Sequence, residues 1–283
     1  MDDTLSSQYG LTFHPFCSDI PVEAMTTGKP LDGFLFRVQQ QLRDGGFIAV
    51  TGEPGTGKSA ALRIVAERLS KIDSAKVGIL TRPQSNNADF YRELGHLFGV
   101  SLSPHNRWAG SKVLREQWLS HIDRSRIRPV LIIDEAQEMK APAFAELRIL
   151  ASMNLDARSL LTVIIAGDGR LESRLNTADM RPIQSRIRTH LQLGYADPEH
   201  LFAVLDRALE HAGRPDLMTD EVKRALSTHA HGNLRAMMTM ADHLLSYIVQ
   251  HDISRIDEQV FFDVFQQEIE AEPAPQKRAG RRR

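Results

Sequence analysis

A chain that sets a buried-strand run, a glycine-rich loop and an amphipathic helix in immediate succession has few folds open to it. Residues 46–70 read GFIAV, then TGEPGTGKSA, then ALRIVAERLS. Gly52, Gly57, Lys58 and Ser59 fit the pattern G-x-x-x-x-G-K-[ST], and they lie between strand and helix as that pattern requires. Its physics is direct. Glycines let backbone N–H groups turn inward around phosphate oxygens, and the helix N-terminus adds the positive end of its dipole. Gly52, Glu53, Pro54, Gly55, Thr56, Gly57, Lys58, Ser59 and Ala60 are therefore expected to cradle the phosphates of a nucleotide. Lys58 would reach the β- and γ-phosphates, and Ser59 would ligate Mg²⁺.

Further apolar runs repeat the theme. AKVGILT (75–81), PVLIID (129–134) and LLTVIIAG (160–167) are too short and too β-branched for helices, and helical spacing recurs between them. Strands alternating with helices imply a parallel sheet covered on both faces, an α/β fold. Near residue 195 the pattern becomes helical only. Asp197 and Pro198 open one helix, Thr219 caps a second, and Asn233 caps a third, so 195–270 reads as a small all-α lid. The expected organisation is an N-terminal segment over 1–45, the nucleotide-binding unit over 46–194, the lid over 195–270, and a tail over 271–283.

The tail, AEPAPQKRAGRRR, carries five Lys or Arg against one Glu in a chain whose formal net charge is −1. Such a segment buries no apolar area and is expected to be disordered. Contact with a phosphate backbone and simple solubilisation are equally good readings of it. The apolar runs fall far short of the ~20 residues of a membrane span, so no membrane is expected. The N-terminus lacks the pattern of a secretory signal, and Cys17 is the sole cysteine. A reducing, cytoplasmic setting without disulfides or a multi-cysteine metal site is the simplest expectation.

The run VLIIDEAQ supplies the second half of a nucleotide site. A strand ending in Asp134 puts a carboxylate beside the phosphate loop, where it would hold the Mg²⁺ shell with Ser59, in part through water. Glu135, one residue on, is placed to orient and deprotonate a water, which points to hydrolysis. No N-K-x-D tetrad for guanine occurs, so ATP is favoured over GTP. Asp168, after the strand LLTVIIAG, would position the attacking water, or else would serve an Asp-Gly turn. RPIQSRIRTHLQL (181–193) holds Arg181, Arg186 and Arg188. An arginine donated in trans neutralises charge on a transferring phosphoryl group, and Arg186 is the choice because Ile183 and Ile187 mark the buried face. Arg235, opening the helix after HGN, would couple ATP binding to lid closure; a plain surface arginine is the alternative.

Taken together, GEPGTGKS, VLIIDEAQ, Asp168, RPIQSRIR and GNLR resemble an AAA+ ATPase with a helical lid, over roughly 45–265. More narrowly, YGLTFHPF (9–16), DEAQEM and GNLRAMM are similar to the ExeA/TniB/TnsC-type branch, which includes regulators of DNA transposition similar in role to the Mu B protein. That resemblance implies an ATPase that assembles with itself into a ring or helical filament on duplex DNA and directs a transposase. It also implies adenine contacts from Tyr9, Phe13 or Phe16, and it expects Asn or Gln where this chain has Asp168. The stretch 105–128, with Arg107, Lys112, Arg115, Arg124, Arg126 and Arg128, is a plausible backbone-contacting surface or a solvated helical face. Two other functions stand beside this one: a secretion-associated ExeA-type ATPase, and an ATP-switched signalling or scaffold protein.

Overall fold

The computed structural model describes residues 8–100, 107–153 and 158–271. The basic tail expected over 271–283 lies outside them from residue 272 on. The chain divides into two compact units, one of Thr27–Tyr195 and one of Met1–Thr26 with Ala196–Arg283. The expected 1–45 segment is thus shared between them.

The first unit is built on strands β1 (Gly46–Gly52), β2 (Ala75–Leu80), β3 (Arg128–Ile133), β4 (Ser152–Met153), β5 (Arg158–Ser159), β6 (Thr162–Gly167) and β7 (Ile187–Leu193). Five of them form one parallel sheet in the order β2-β3-β6-β1-β7, and β4 and β5 make a two-residue antiparallel pair. Its helices are α1 (Lys29–Gln41), α2 (Lys58–Ser70), α3 (Asn87–Phe98), α4 (Arg107–Ser125), α5 (Ala141–Ala151), α6 (Gly169–Leu175) and α7 (Arg181–Gln184).

Strand alternation sorts the apolar runs onto two faces. Phe47, Ala49, Leu131, Ile133, Val163 and Ile165 share a core with Phe90 and Leu94 of α3, Trp118 of α4, and Phe144 of α5. Ile48, Val50, Val130, Ile132 and Ile164 point the other way and are equally buried, on the side that α1 and α2 cover. Burial on both faces explains why these strands read as continuous apolar runs. The edge strand β7 is absent from the sequence reading. Its buried positions, Thr189 and Leu191, alternate with exposed polar ones, a pattern weaker than a buried run.

The second unit contains α8 (Pro198–His211), α9 (Asp220–His229), α10 (Leu234–His251) and α11 (Glu258–Ala271). Its caps are those the sequence marks. Asp197 accepts from His200 N at 2.7 Å, Thr219 from Val222 N at 3.3 Å and Asn233 from Ala236 N at 3.0 Å. The N-terminal residues complete its core. Tyr9, Leu11 and Phe16 are 2%, 1% and 4% exposed among Leu205, Leu244 and Ile248, and Phe13 packs against them. The Tyr9 hydroxyl donates to the carbonyls of Ile248 (2.9 Å) and Ile253 (2.8 Å), and Arg214 Nη1 donates to Tyr9 O at 2.6 Å. Of the three residues expected at the adenine, Tyr9 and Phe16 have their rings in the helical core, and Phe13 is half-buried beside them.

Candidate nucleotide site

Gly55 and Gly57 sit at φ +85° and +92°, a left-handed backbone that glycine adopts without penalty, and Gly57 leads directly into α2. Gly52 answers to space instead. A Cβ there would lie 2.3 Å from the Leu193 carbonyl oxygen at the end of β7 and 2.8 Å from Thr56 Oγ1. The loop is thus pinned against the tip of the neighbouring strand. Lys58 is 6% exposed, and its ammonium donates to the carbonyls of Gly52 (2.9 Å) and Glu53 (3.0 Å). Those are carbonyls of the loop itself, so the cation stands over the space the loop encloses.

Ser59 Oγ donates to Asp134 Oδ2 at 2.7 Å, which brings together the hydroxyl and the carboxylate expected to hold Mg²⁺. The pair is all-oxygen, as a hard cation requires, and leaves coordination positions for water and phosphate. The residues present therefore fit the ion. Glu135 follows in a left-handed conformation (φ 50°, ψ 41°), with its N–H on Asp134 Oδ1 at 2.9 Å, and its carboxylate accepts a hydrogen bond from Gln137 Nε2.

Asp168 caps α6, accepting from Arg170 N at 2.9 Å, and its carboxylate also receives Arg170 Nε at 2.9 Å. Burial by itself would raise its pKa. The Arg170 side chain and N–H, helped by the charge of Lys58, outweigh burial and hold the carboxyl below its ordinary value. Arg170 reaches on to Glu138 at 3.0 Å, so the two strand tips that carry Asp134 and Asp168 are bridged by one guanidinium. Beneath the loop, Thr51 donates to Glu172 and lies 2.7 Å from His190 Nε2. A cleft of about 360 Å³ opens beside this cluster, lined by Gly52, Glu53, Gly169, Glu172, Gln192, Leu193 and Gly194.

Arg181, Arg186 and Arg188 stand elsewhere in the same unit. β1 and β7 are parallel, Phe47 lies beside Ile187, and Gly52 lies beside Leu193. Arg186 therefore sits at the start of β1 (its carbonyl is 3.9 Å from the Cβ position of Gly46), while the phosphate loop leaves the other end. Six residues of extended chain separate the two ends by ~20 Å. Arg186 is half-buried and donates to the Pro182 carbonyl; Arg188 is exposed, 3.6 Å from Asp44, and occupies the register shift opposite Phe47 and Ile48. Arg181 is exposed at the start of α7. Arg235 is exposed on the first turn of α10 in the helical unit.

The basic stretch 105–128 is narrowed by its internal contacts. Arg115 donates to the Ser152 carbonyl at 2.8 Å, Arg128 to the Ser159 carbonyl at 3.5 Å, and Lys112 pairs with Glu116 at 3.8 Å. Arg124 and Arg126 are exposed, and the Arg107 side chain lies outside the described residues. Sequence reasoning did not single out Thr51, Arg170, Glu172 or His190. Arg170 has a local signal, a cation two residues beyond a capping Asp; the other three meet only in the fold, from β1, α6 and β7.

With this geometry in view, residues 40–175, just under half of the chain, match the family model described as AAA domain. Among curated proteins, the chain is similar to general secretion pathway protein A of Aeromonas hydrophila, 26% identical over 190 residues. That alignment covers 65% of this chain and 34% of the relative, so the chain spans about a third of the relative's length. Solved structures share the fold. Cdc6p from Pyrobaculum aerophilum aligns at TM-score 0.70 and 14% identity, over 89% of this chain and 70% of that one. The Aeropyrum pernix ORC1 protein in complex with DNA aligns at 0.68 and 16%, over 90% and 69%. The Thermotoga maritima RuvB Holliday junction branch migration motor aligns at 0.60 and 15%, over 90% and 73%. The fold is that of a P-loop AAA+ ATPase. Among the described residues no helix is long and apolar enough to cross a membrane.

Proposed function

We propose that this AAA-domain protein hydrolyses ATP, assembles with copies of itself on duplex DNA in an ATP-dependent manner, and directs a transposase to target sites. The observation that carries the self-assembly reading is the strand polarity of the site. Arg186 and the phosphate loop lie at opposite ends of β1, ~20 Å apart, so Arg186 has no path to the γ-phosphate bound by its own loop. If Arg186 acts on a γ-phosphate, it acts on the one bound by a neighbouring copy.

In this reading Lys58 leaves the loop carbonyls for the β- and γ-phosphates, and Ser59 and Asp134 hold Mg²⁺. When bound, that ion offsets the negative charge of the phosphate oxygens. Glu135 takes a proton from the attacking water, and Asp168, kept anionic by Arg170, orients it. Arg235 responds to nucleotide from the helical unit. DNA as the partner is supported by the likeness to proteins solved as ORC1 with DNA and as a branch migration motor, and by the exposed Arg124 and Arg126. The transposase rests on the motif resemblance. A secretion-associated ATPase is the second reading, favoured by the likeness to general secretion pathway protein A.

The test is the ATPase rate with and without duplex DNA at several salt concentrations. Stimulation by DNA that weakens as salt rises supports the proposal. If DNA neither stimulates turnover nor binds when ATP is present, the secretion-type reading takes its place. Glu135→Gln should keep ATP binding while turnover falls by 10²-fold or more, on the order expected for loss of a general base.

A further inference from the structure

Gln137 lies two residues past Glu135 and faces it across a short, rigid turn. Ala136 and Met139, on either side, are 0% and 2% exposed. Arg174 Nη1 donates to the Gln137 carbonyl at 3.1 Å and to the Met139 carbonyl, while its guanidinium lies 4.8 Å over the Phe144 ring. The turn backbone is therefore held by Arg174 and by the burial of its flanking residues. Glu135 itself is exposed, with a left-handed backbone, and packing alone would leave its carboxylate free to swing.

Gln137 removes that freedom. Its Nε2 donates to Glu135 Oε2, and its Oε1 is buried with no hydrogen-bond partner. A buried carbonyl oxygen without a donor calls for an explanation, and the neighbourhood provides one. The oxygen is seated against Gly167, where a Cβ would lie 2.3 Å from it. Reversing the amide would set its oxygen against the Glu135 carboxylate, two acceptors facing each other. The only orientation that suits Glu135 is the one that leaves Oε1 in the Gly167 niche.

We infer that Gln137, seated on Gly167, is a positioning residue that orients the Glu135 carboxylate toward the attacking water. This rests on the assignment of Glu135 as general base. The amide occupies Oε2 and leaves Oε1 of the carboxylate for the water proton. It also joins the tips of β3 and β6 into one unit, since Gly167 immediately precedes Asp168.

The experiment compares kcat and KM for ATP in the full chain, as wild type, Gln137→Met, Gln137→Glu and Glu135→Gln, with the thermal melting of each. Gln137→Met keeps the volume and removes the donor. It should lower kcat about tenfold at unchanged KM, since a misplaced group loses rate before affinity. Gln137→Glu keeps the shape and sets a second carboxylate against the first. It should lower kcat at least as far as Gln137→Met does, again at unchanged KM. A kcat that is unchanged or raised in folded Gln137→Met or Gln137→Glu overturns the inference. Full turnover by Glu135→Gln would instead remove its premise, so the two failures are told apart. Gly167→Ala supplies a supplementary arm, in which the new Cβ also meets Leu171 Cβ at 2.8 Å and melting is therefore read alongside: wild-type turnover in a folded Gly167→Ala protein counts against the niche.

Discussion

Replacing Tyr9 by Phe removes one oxygen and leaves the ring in the core of the helical unit. The hydroxyl has one proton and two nearby carbonyls, so the loss is not two hydrogen bonds. Ile248 O also accepts from the N–H groups of Asp252 and Ile253, the latter at 3.0 Å, at the end of α10. It stays satisfied. Ile253 O, half-buried and 2.8 Å from the hydroxyl, is the group that loses its donor. One hydrogen bond to a partly solvated carbonyl is worth ~1 kcal/mol. That corresponds to a fall in the melting temperature of about 3–6 °C for a unit of this size. The pH dependence gives a second check. Burial first, and the nearby Asp252 second, push the phenol of Tyr9 above its ordinary value. A raised value means the fold prefers the neutral phenol, so this contribution is fully present below pH ~10 and disappears as pH rises through the raised value. Wild type and Tyr9→Phe should therefore differ by a constant amount at neutral pH and converge in strong alkali. Thermal and urea unfolding followed by far-ultraviolet circular dichroism measures both. Identical midpoints at pH 7 would refute the bonding account. A loss of ATP affinity at unchanged stability would return Tyr9 to the base-contact role.

The other perturbations concern the site. Gly52→Ala places a methyl group 2.3 Å from a backbone oxygen that has nowhere to go. We expect ~1–3 kcal/mol of destabilisation and at least about a tenfold loss of nucleotide affinity by fluorescence titration, because the loop must leave the tip of β7; wild-type affinity would count against the close approach. Arg186→Ala and Lys58→Ala should each abolish turnover alone and partly restore it when mixed, since each then supplies what the other lacks. No recovery on mixing would speak against donation in trans.

What the sequence discloses and what it hides divide along the range of the interactions. The loop from Gly52 to Ser59 is legible because its demands are local: two positive φ values, a lysine, and a hydroxyl at the first turn of α2. The helix caps at Asp197, Thr219 and Asn233 are legible for the same reason. Tyr9 is not, because its partners are 239 and 244 residues away and an aromatic residue near a terminus announces no destination. Gln137 appears only as the last letter of VLIIDEAQ, and its fit to Gly167 depends on two strands lying side by side. The clamp of Arg170 on Asp168 lies between. The pair is two residues apart, yet only the structure shows Glu138 completing it.

The arginines before β7 show what one missed strand conceals. Read without β7, the stretch from Arg181 to Arg188 is a cluster of charge with no location, and its donation in trans needs a likeness to other proteins. With β7 recognised, two facts suffice. A parallel neighbour of β1 starts where β1 starts and ends where β1 ends. Residues before β7 and residues after β1 must then stand a strand's length apart, and an arginine spans only about a third of ~20 Å. The requirement for a second copy thus follows from the direction of one edge strand, provided the arginine acts on phosphate at all. The mixing of Arg186→Ala with Lys58→Ala tests that proviso, and neither single variant does.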